Sequence, residues 1–156
     1  MLSDLYWIES ASSQRLAIMA RPRSGDWLED EVAHWARAGV ETVVSLLERE
    51  EVTELGLERE AAICERHGIR FVSFPIADRT VPADASAAMR FAAELAATGQ
   101  AIAIHCRAGI GRSSIIATAI MVSNGADPAM ALTAIGEARG LSVPDTDAQR
   151  AWALAL

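Results

Sequence analysis

Short runs of apolar, often β-branched residues alternate along this chain with longer segments whose apolar positions recur at helical spacing. That alternation predicts strands and helices in turn. Residues 5–8 and 16–20 read as opening strands. From Asp26 onward, Leu28, Val32, Trp35 and Ala36 fall on one helical face, and Gly39 stands where such a helix stops. Residues 40–47 predict a buried strand, 57–67 a helix closed by Gly68, and 69–76 another strand. The stripe Ala88, Phe91, Ala92 and Leu95 predicts a helix over 84–98, ended by Gly99, with Asp84 placed as its N-cap. Residues 101–105 form a compact apolar strand. The segment 113–122 is apolar on nearly every face and reads as a central buried helix, and helices over 128–139 and 146–156 finish the chain. No repeat, low-complexity tract or linker interrupts the pattern. It predicts an α/β fold with a mainly parallel central sheet flanked by helices, one domain over residues 1–156.

Composition narrows the function. A chain of 156 residues, 51% hydrophobic, can bury a genuine core. Its formal charge of −7 excludes an extended nucleic-acid interface, which needs Lys and Arg to displace counterions from phosphates. No stretch approaches a membrane span, and the first ten residues carry Asp4 and Glu9 instead of a basic start and an apolar run. The expectation is a soluble, cytoplasmic monomer without nucleic-acid or membrane partners. Two cysteines, Cys64 and Cys106, make no disulfide framework and remain thiols in a reducing compartment. His34, His67 and His105 lack carboxylate or thiol neighbours at ligand spacing, so neither a metal nor another cofactor is expected.

The chemistry concentrates in His105-Cys106-Arg107-Ala108-Gly109-Ile110-Gly111-Arg112-Ser113, between a predicted strand and a predicted helix. A strand-to-helix turn with two glycines can fold its backbone N–H groups inward as a cradle, and the helix start adds partial positive charge. Residues 107–112 are thereby expected to bind an anion such as phosphate. A thiol at the mouth of that cradle feels the same dipoles, which favour its nucleophilic thiolate form and single out Cys106. Arg112 ends the turn, where its planar fork can hold two phosphate oxygens through a transition state. Ser113 can donate its hydroxyl to sulfur when a phospho-cysteine breaks down. The side chain of Arg107, by contrast, can turn out of the pocket to hold the loop or face solvent, and it stands outside the catalytic set.

These residues carry a resemblance. His105, Cys106, Arg112 and Ser113 match the His-Cys-x5-Arg-Ser/Thr signature of the protein tyrosine phosphatase superfamily, with Gly109 and Gly111 where its phosphate loop often has small residues. Phe74-Pro75-Ile76-Ala77-Asp78, followed by Pro82, resembles the acid-bearing loop of small dual-specificity phosphatases, particularly those like the kinase-associated phosphatase, and of compact bacterial enzymes. The resemblance spans about residues 40–123 and implies a phosphorylated protein as substrate. It implies Asp78 as the acid that protonates the leaving oxygen and later activates water, and His105 as a residue that orders the loop and tunes Cys106. Gln149 either corresponds to a glutamine that positions water in some relatives or is an exposed polar residue of the last helix.

The remaining features take plainer readings. Cys64 is a small packing residue, its spacing giving no support for a redox partnership with Cys106. The run Glu48-Arg49-Glu50-Glu51 is a solvated helix start, and Trp7, Trp27, Trp35 and Trp152 are core or rim residues. Two other functions compete with catalysis of phosphoryl transfer: a module that binds phosphorylated partners without turning them over, and a rhodanese-like sulfurtransferase, since Cys106-Arg107-Ala108-Gly109 fits a persulfide-bearing turn. His105, Arg112, Ser113 and the upstream acid favour a phosphatase acting on phosphotyrosine, with phosphoserine and phosphothreonine as further substrates. No pair of lysines lies between Cys106 and Arg112 to meet the extra phosphates of a phosphoinositide.

Overall fold

The computed structural model describes residues 2–156. Five strands, β1 (Tyr6–Trp7), β2 (Leu16–Met19), β3 (Thr42–Ser45), β4 (Arg70–Ser73) and β5 (Ile102–His105), form one sheet in the order β1-β2-β5-β3-β4. Only β1 runs antiparallel, so the sheet is mainly parallel, as the alternating pattern predicts. The strands are shorter than their apolar runs. Leu46 and Leu47 are fully buried past the end of β3, and Leu46 still donates to the His105 carbonyl and accepts from the Ile76 N–H before the chain turns away.

Among the described residues seven helices cover the sheet: α1 (Trp27–Arg37), α2 (Arg49–Glu54), α3 (Glu60–Arg66), α4 (Ala85–Thr98), α5 (Arg112–Ser123), α6 (Pro128–Arg139) and α7 (Asp147–Leu154). Side chains of β5 alternate between the two faces. Ile102, Ile104 and Cys106 point into one core with Ile115, Ile116 and Ile120 of α5, while Ala103 joins the other with Val32 and Trp35 of α1 and Ile63 and Cys64 of α3. Helix α5 packs against α4, α6, α7 and the sheet, and its residues 112–121 are all buried, which explains why its sequence is apolar all round. Asp84 caps α4 by accepting from the Ala87 N–H. Trp35 is buried, whereas Trp27 is exposed with Arg23 stacked on its ring. Among the described residues no helix is long and apolar enough to cross a membrane.

Register fixes the functional edge. Met19, Ser45 and His105 lie level at the carboxyl ends of β2, β3 and β5, and Ser73 lies level with Ser45 at the end of β4. The four following loops therefore converge on one edge, the place where parallel sheets receive ligands.

Candidate active site

Directly after β5, the chain turns from Cys106 into α5, and its four leading carbonyls are all tied outward. His105 Nδ1 lies 3.3 Å from the Cys106 carbonyl, and the Arg21 N–H donates to the Arg107 carbonyl at 3.2 Å. Arg139 of α6 donates from Nη2 to the Ala108 carbonyl (3.3 Å) and from Nε to the Gly109 carbonyl (3.1 Å), its guanidinium stacked over the Tyr6 ring. In a planar trans peptide the N–H of the next residue points opposite to the carbonyl. The N–H groups of Arg107, Ala108, Gly109 and Ile110 are thus turned to the other side, and among the described residues they donate to no protein acceptor. These four N–H groups share one side of the turn and the start of α5 adds its dipole, an arrangement that suits an anion.

Gly109 is required twice over. Its φ is +73°, and a Cβ there would lie 2.5 Å from the Met19 carbonyl carbon, inside backbone that cannot yield. At Gly111 a Cβ would collide with the Gln149 side chain at 2.8 Å.

A cavity of about 140 Å³ opens over this loop, lined by Asp78, Arg79, Cys106, Arg107, Ala108, Ile110, Gly111, Arg112, Asp145 and Gln149. Cys106 is 2% exposed, and Ser113 Oγ lies 3.4 Å from its sulfur. Asp78, half exposed on the loop after β4, stands with Oδ1 3.1 Å from Arg112 Nη2. The structure thus brings Cys106, Arg112, Asp78 and Ser113 together. Gly109 serves from behind, packed on the end of β2. His105 takes no part in the cavity wall: it lies on the opposite face of the sheet, with Nε2 2.7 Å from Glu60 Oε2.

Arg112 is immobilised by a residue the sequence pattern places in solvent. Glu51, the last of the acidic run, is buried and grips the guanidinium from two sides: Nη1 donates to Oε1 at 2.6 Å and Nη2 to Oε2 at 2.9 Å. Oε1 also accepts the Glu48 N–H, so the same carboxylate caps α2. Burial works to raise the Glu51 pKa, but the hydrogen bonds from Arg112 and Glu48 and the charges of Arg112 and Arg107 outweigh it and hold the carboxyl below its ordinary value. Arg112 likewise resists its own desolvation, because Glu51, Cys106 and Asp78 favour its charged form. Its second Nη1 hydrogen goes to the Ile76 carbonyl at 2.8 Å. The edge left for an incoming oxyanion is formed by Nε and the Nη2 hydrogen now aimed at Asp78.

Arg107 lines the cavity, but its guanidinium is drawn toward Glu54 (3.0 Å) and Glu51 (3.7 Å). Gln149 is buried, which corrects the exposed alternative for the final helix. Its Oε1 accepts the N–H groups of Asp145 and Thr146, and its Nε2 donates to the Thr80 carbonyl. With the Arg79–Asp145 ion pair at 2.8 Å, it clasps the acid-bearing loop to the segment before α7. Cys64 is wholly buried and free; burial and the nearby Glu60 charge push its thiol up to about 12.

Nothing in the sequence pattern singles out Glu60, Arg79, Arg139 and Asp145. Arg139 looks like an ordinary cation at a helix C-terminus. Glu51 carries one usable signal, its place just past a buried strand at the ligand edge of a parallel sheet. Among the described residues no group of three or more His, Cys, Asp or Glu side chains is arranged to hold a metal ion.

A parallel sheet whose carboxyl edge carries a cysteine, a row of unpaired backbone N–H groups and an arginine locked beside them has the layout of protein tyrosine phosphatases. A family model described as "Tc-R-P: Polymorphic toxin system, DSP-PTPase phosphatase" matches residues 17–126, and the chain belongs to that family. It is a small dual-specificity-type phosphatase of the protein tyrosine phosphatase superfamily. Among solved structures it is similar to the kinase-associated phosphatase, solved with its catalytic-site cysteine replaced by serine (TM-score 0.87, 20% identity, 99% of this chain and 97% of that one). It is similar also to Tk-PTP in its active form (TM-score 0.73, 26% identity, 95% and 92%). A third is PTPMT1 in complex with PI(5)P (TM-score 0.71, 20% identity, 96% and 93%). No curated protein sequence matches the chain significantly.

Proposed function

We propose that the protein is a cysteine-dependent protein phosphatase that hydrolyses phosphotyrosine, and phosphoserine and phosphothreonine as well, through a phospho-cysteine intermediate. The observation that carries this reading is the convergence on one small cavity of Cys106, four inward backbone N–H groups and the Arg112 edge held by Glu51.

The phosphate of the substrate sits in the cradle with two oxygens on Arg112 Nε and Nη2, displacing Asp78 from the guanidinium and leaving it over the ester oxygen. The Cys106 thiolate attacks phosphorus, the P–O bond to the side chain breaks, and Asp78 gives its proton to the departing oxygen. In the second step Asp78, now a carboxylate, takes a proton from water as the water oxygen attacks phosphorus. The S–P bond breaks and the sulfur leaves as a thiolate, stabilised by the Ser113 hydroxyl at 3.4 Å. Neither step calls for a metal or an organic cofactor.

A phosphorylated protein side chain suits the site because the cavity, about 140 Å³, is small for a polyol bearing several phosphates. The chain also contains no lysine at all, so the ammonium pair that would meet extra phosphates is missing. Both thiols are free in the fold, which suits the reducing cytoplasm.

The test is hydrolysis of para-nitrophenyl phosphate and of a phosphopeptide panel by the reduced protein, with chelator present. Vanadate-sensitive turnover is expected, falling about 10²-fold or more in Asp78→Asn for substrates with a poor leaving group. Absence of any vanadate-sensitive hydrolysis by the wild-type protein would overturn the reading. Thiosulfate-to-cyanide sulfur transfer would replace it with a sulfurtransferase.

A further inference from the structure

The proposed reaction leaves one buried ionisable pair without a task. Glu60, in the first turn of α3, is 2% exposed, and His105 is 0% exposed; neither reaches the cavity. Glu60 Oε2 lies 2.7 Å from His105 Nε2, and His105 Nδ1 lies 3.3 Å from the Cys106 carbonyl.

Both ring nitrogens of His105 therefore face oxygen acceptors. A carbonyl can only accept, so Nδ1 carries a proton. The 2.7 Å contact of Nε2 with a carboxylate oxygen is as short as a charge-assisted hydrogen bond, with the ring Nε2–H donating to Glu60. Among the described residues no other side chain hydrogen-bonds or ion-pairs with the ring. Its sheet neighbours Met19 and Ser45 are uncharged, and Cys64, one turn along α3 from Glu60, is held as a neutral thiol.

From this geometry we infer that Glu60 is a positioning residue of the site: it keeps His105 as a doubly protonated imidazolium, which anchors the first carbonyl of the phosphate cradle and sets a positive charge behind Cys106. The inference rests on the catalytic reading above, because its consequence is a Cys106 kept ready as a thiolate. Two effects follow from one carboxylate. The Nδ1–H holds the Cys106 carbonyl outward, so the Arg107 N–H stays turned toward the bound phosphate. The imidazolium charge favours the anionic sulfur of the same residue.

Replacing Glu60 by Gln keeps the shape and one acceptor but removes the charge. The ring then loses a proton, and the rate at which iodoacetamide alkylates Cys106 at pH 6 is expected to fall about tenfold, with kcat/KM falling in parallel.

The experiment is ¹⁵N NMR of the His105 ring in the full chain carrying His34→Gln and His67→Gln, with and without Glu60→Gln, alongside alkylation across pH 5 to 8. Two N–H signals from the ring at pH 7 in the Glu60 protein, and one in the Glu60→Gln protein with slower alkylation, are the expected results. One unprotonated ring nitrogen in the Glu60 protein would overturn the inference, as would unchanged alkylation in a folded Glu60→Gln variant. If that variant fails to fold, the spectrum of the Glu60 protein decides alone. Absence of turnover by the wild-type protein would sink the catalytic reading and leave the ring spectrum, which needs no turnover, to judge this one.

Discussion

Cys64 and Cys106 are hidden from solvent to nearly the same degree, yet their surroundings ask for opposite chemistry. Cys64 lies on the α1 and α3 side of the sheet among Val32, Trp35 and Ile63, where desolvation and the Glu60 charge keep its thiol protonated, pushed up to about 12. Cys106 lies on the other side, at the floor of a cavity, with the Arg112 guanidinium, the start of α5 and a row of backbone N–H groups around it. Burial depth alone does not decide what a cysteine does; the charges and dipoles turned toward the sulfur do, together with access.

The largest effect expected from breaking this contrast is at Cys106 itself. Cys106→Ser should lower para-nitrophenyl phosphate turnover to background while leaving phosphate binding measurable by calorimetry, because the cradle is made of backbone and Arg112. Disturbing the arginine comes next. Glu51→Gln loses one partner of a buried ion pair, and kcat/KM should fall about 10²-fold as the guanidinium loses its fixed orientation.

The same substitution changes how stability depends on acid. Glu51 has its folded pKa lowered from an ordinary 4.5. Its contribution is therefore complete above about 4.5 and is lost as pH falls below that value through the folded pKa. Urea unfolding from pH 3 to 7 should show this acid limb in the wild type and a weaker one in Glu51→Gln.

Much of the site is legible in the amino-acid sequence because its chemistry is compressed into consecutive residues. His105 through Ser113 join the end of a strand to the start of a helix, and spacing alone sets Cys106, Arg112 and Ser113 in one turn. Asp78 is legible through the resemblance of the proline-bracketed loop around it. What the sequence conceals depends on contacts between distant residues. Glu51 looks like any acidic residue at a helix start until β3 and β5 are paired in register, and Arg139 reaches the loop across 30 positions. Gln149 cannot be assigned from local pattern, since burial of a polar residue in α7 depends on the loop it clasps. The strand ends are overextended for a related reason: Leu46 and Leu47 are as apolar as the strand before them, and only pairing shows where the ladder stops.

Smaller effects sharpen the other half of the comparison. The Cys64 thiol is raised from 9.0 to about 12 in the fold, so the neutral form is favoured there. That preference adds stability below pH 9 and loses it as pH rises toward 12, at roughly 1.4 kcal/mol per pH unit. Cys64→Ala should flatten the alkaline loss of stability seen by denaturant unfolding at pH 8 to 11. Its kcat/KM should stay within about twofold of wild type, since nothing in the cavity touches Cys64.

The most direct measurement is to mix Asp78→Asn with ³²P-labelled para-nitrophenyl phosphate, quench in acid within the first turnover and map the label by peptide sequencing. This substrate leaves without a proton, while the loss of the base slows hydrolysis of the intermediate, so the phospho-enzyme should accumulate. The account predicts label on the peptide containing Cys106, absent when Cys106 is replaced by Ser. Label on Cys64, or product formed with no labelled protein at any time, would contradict it.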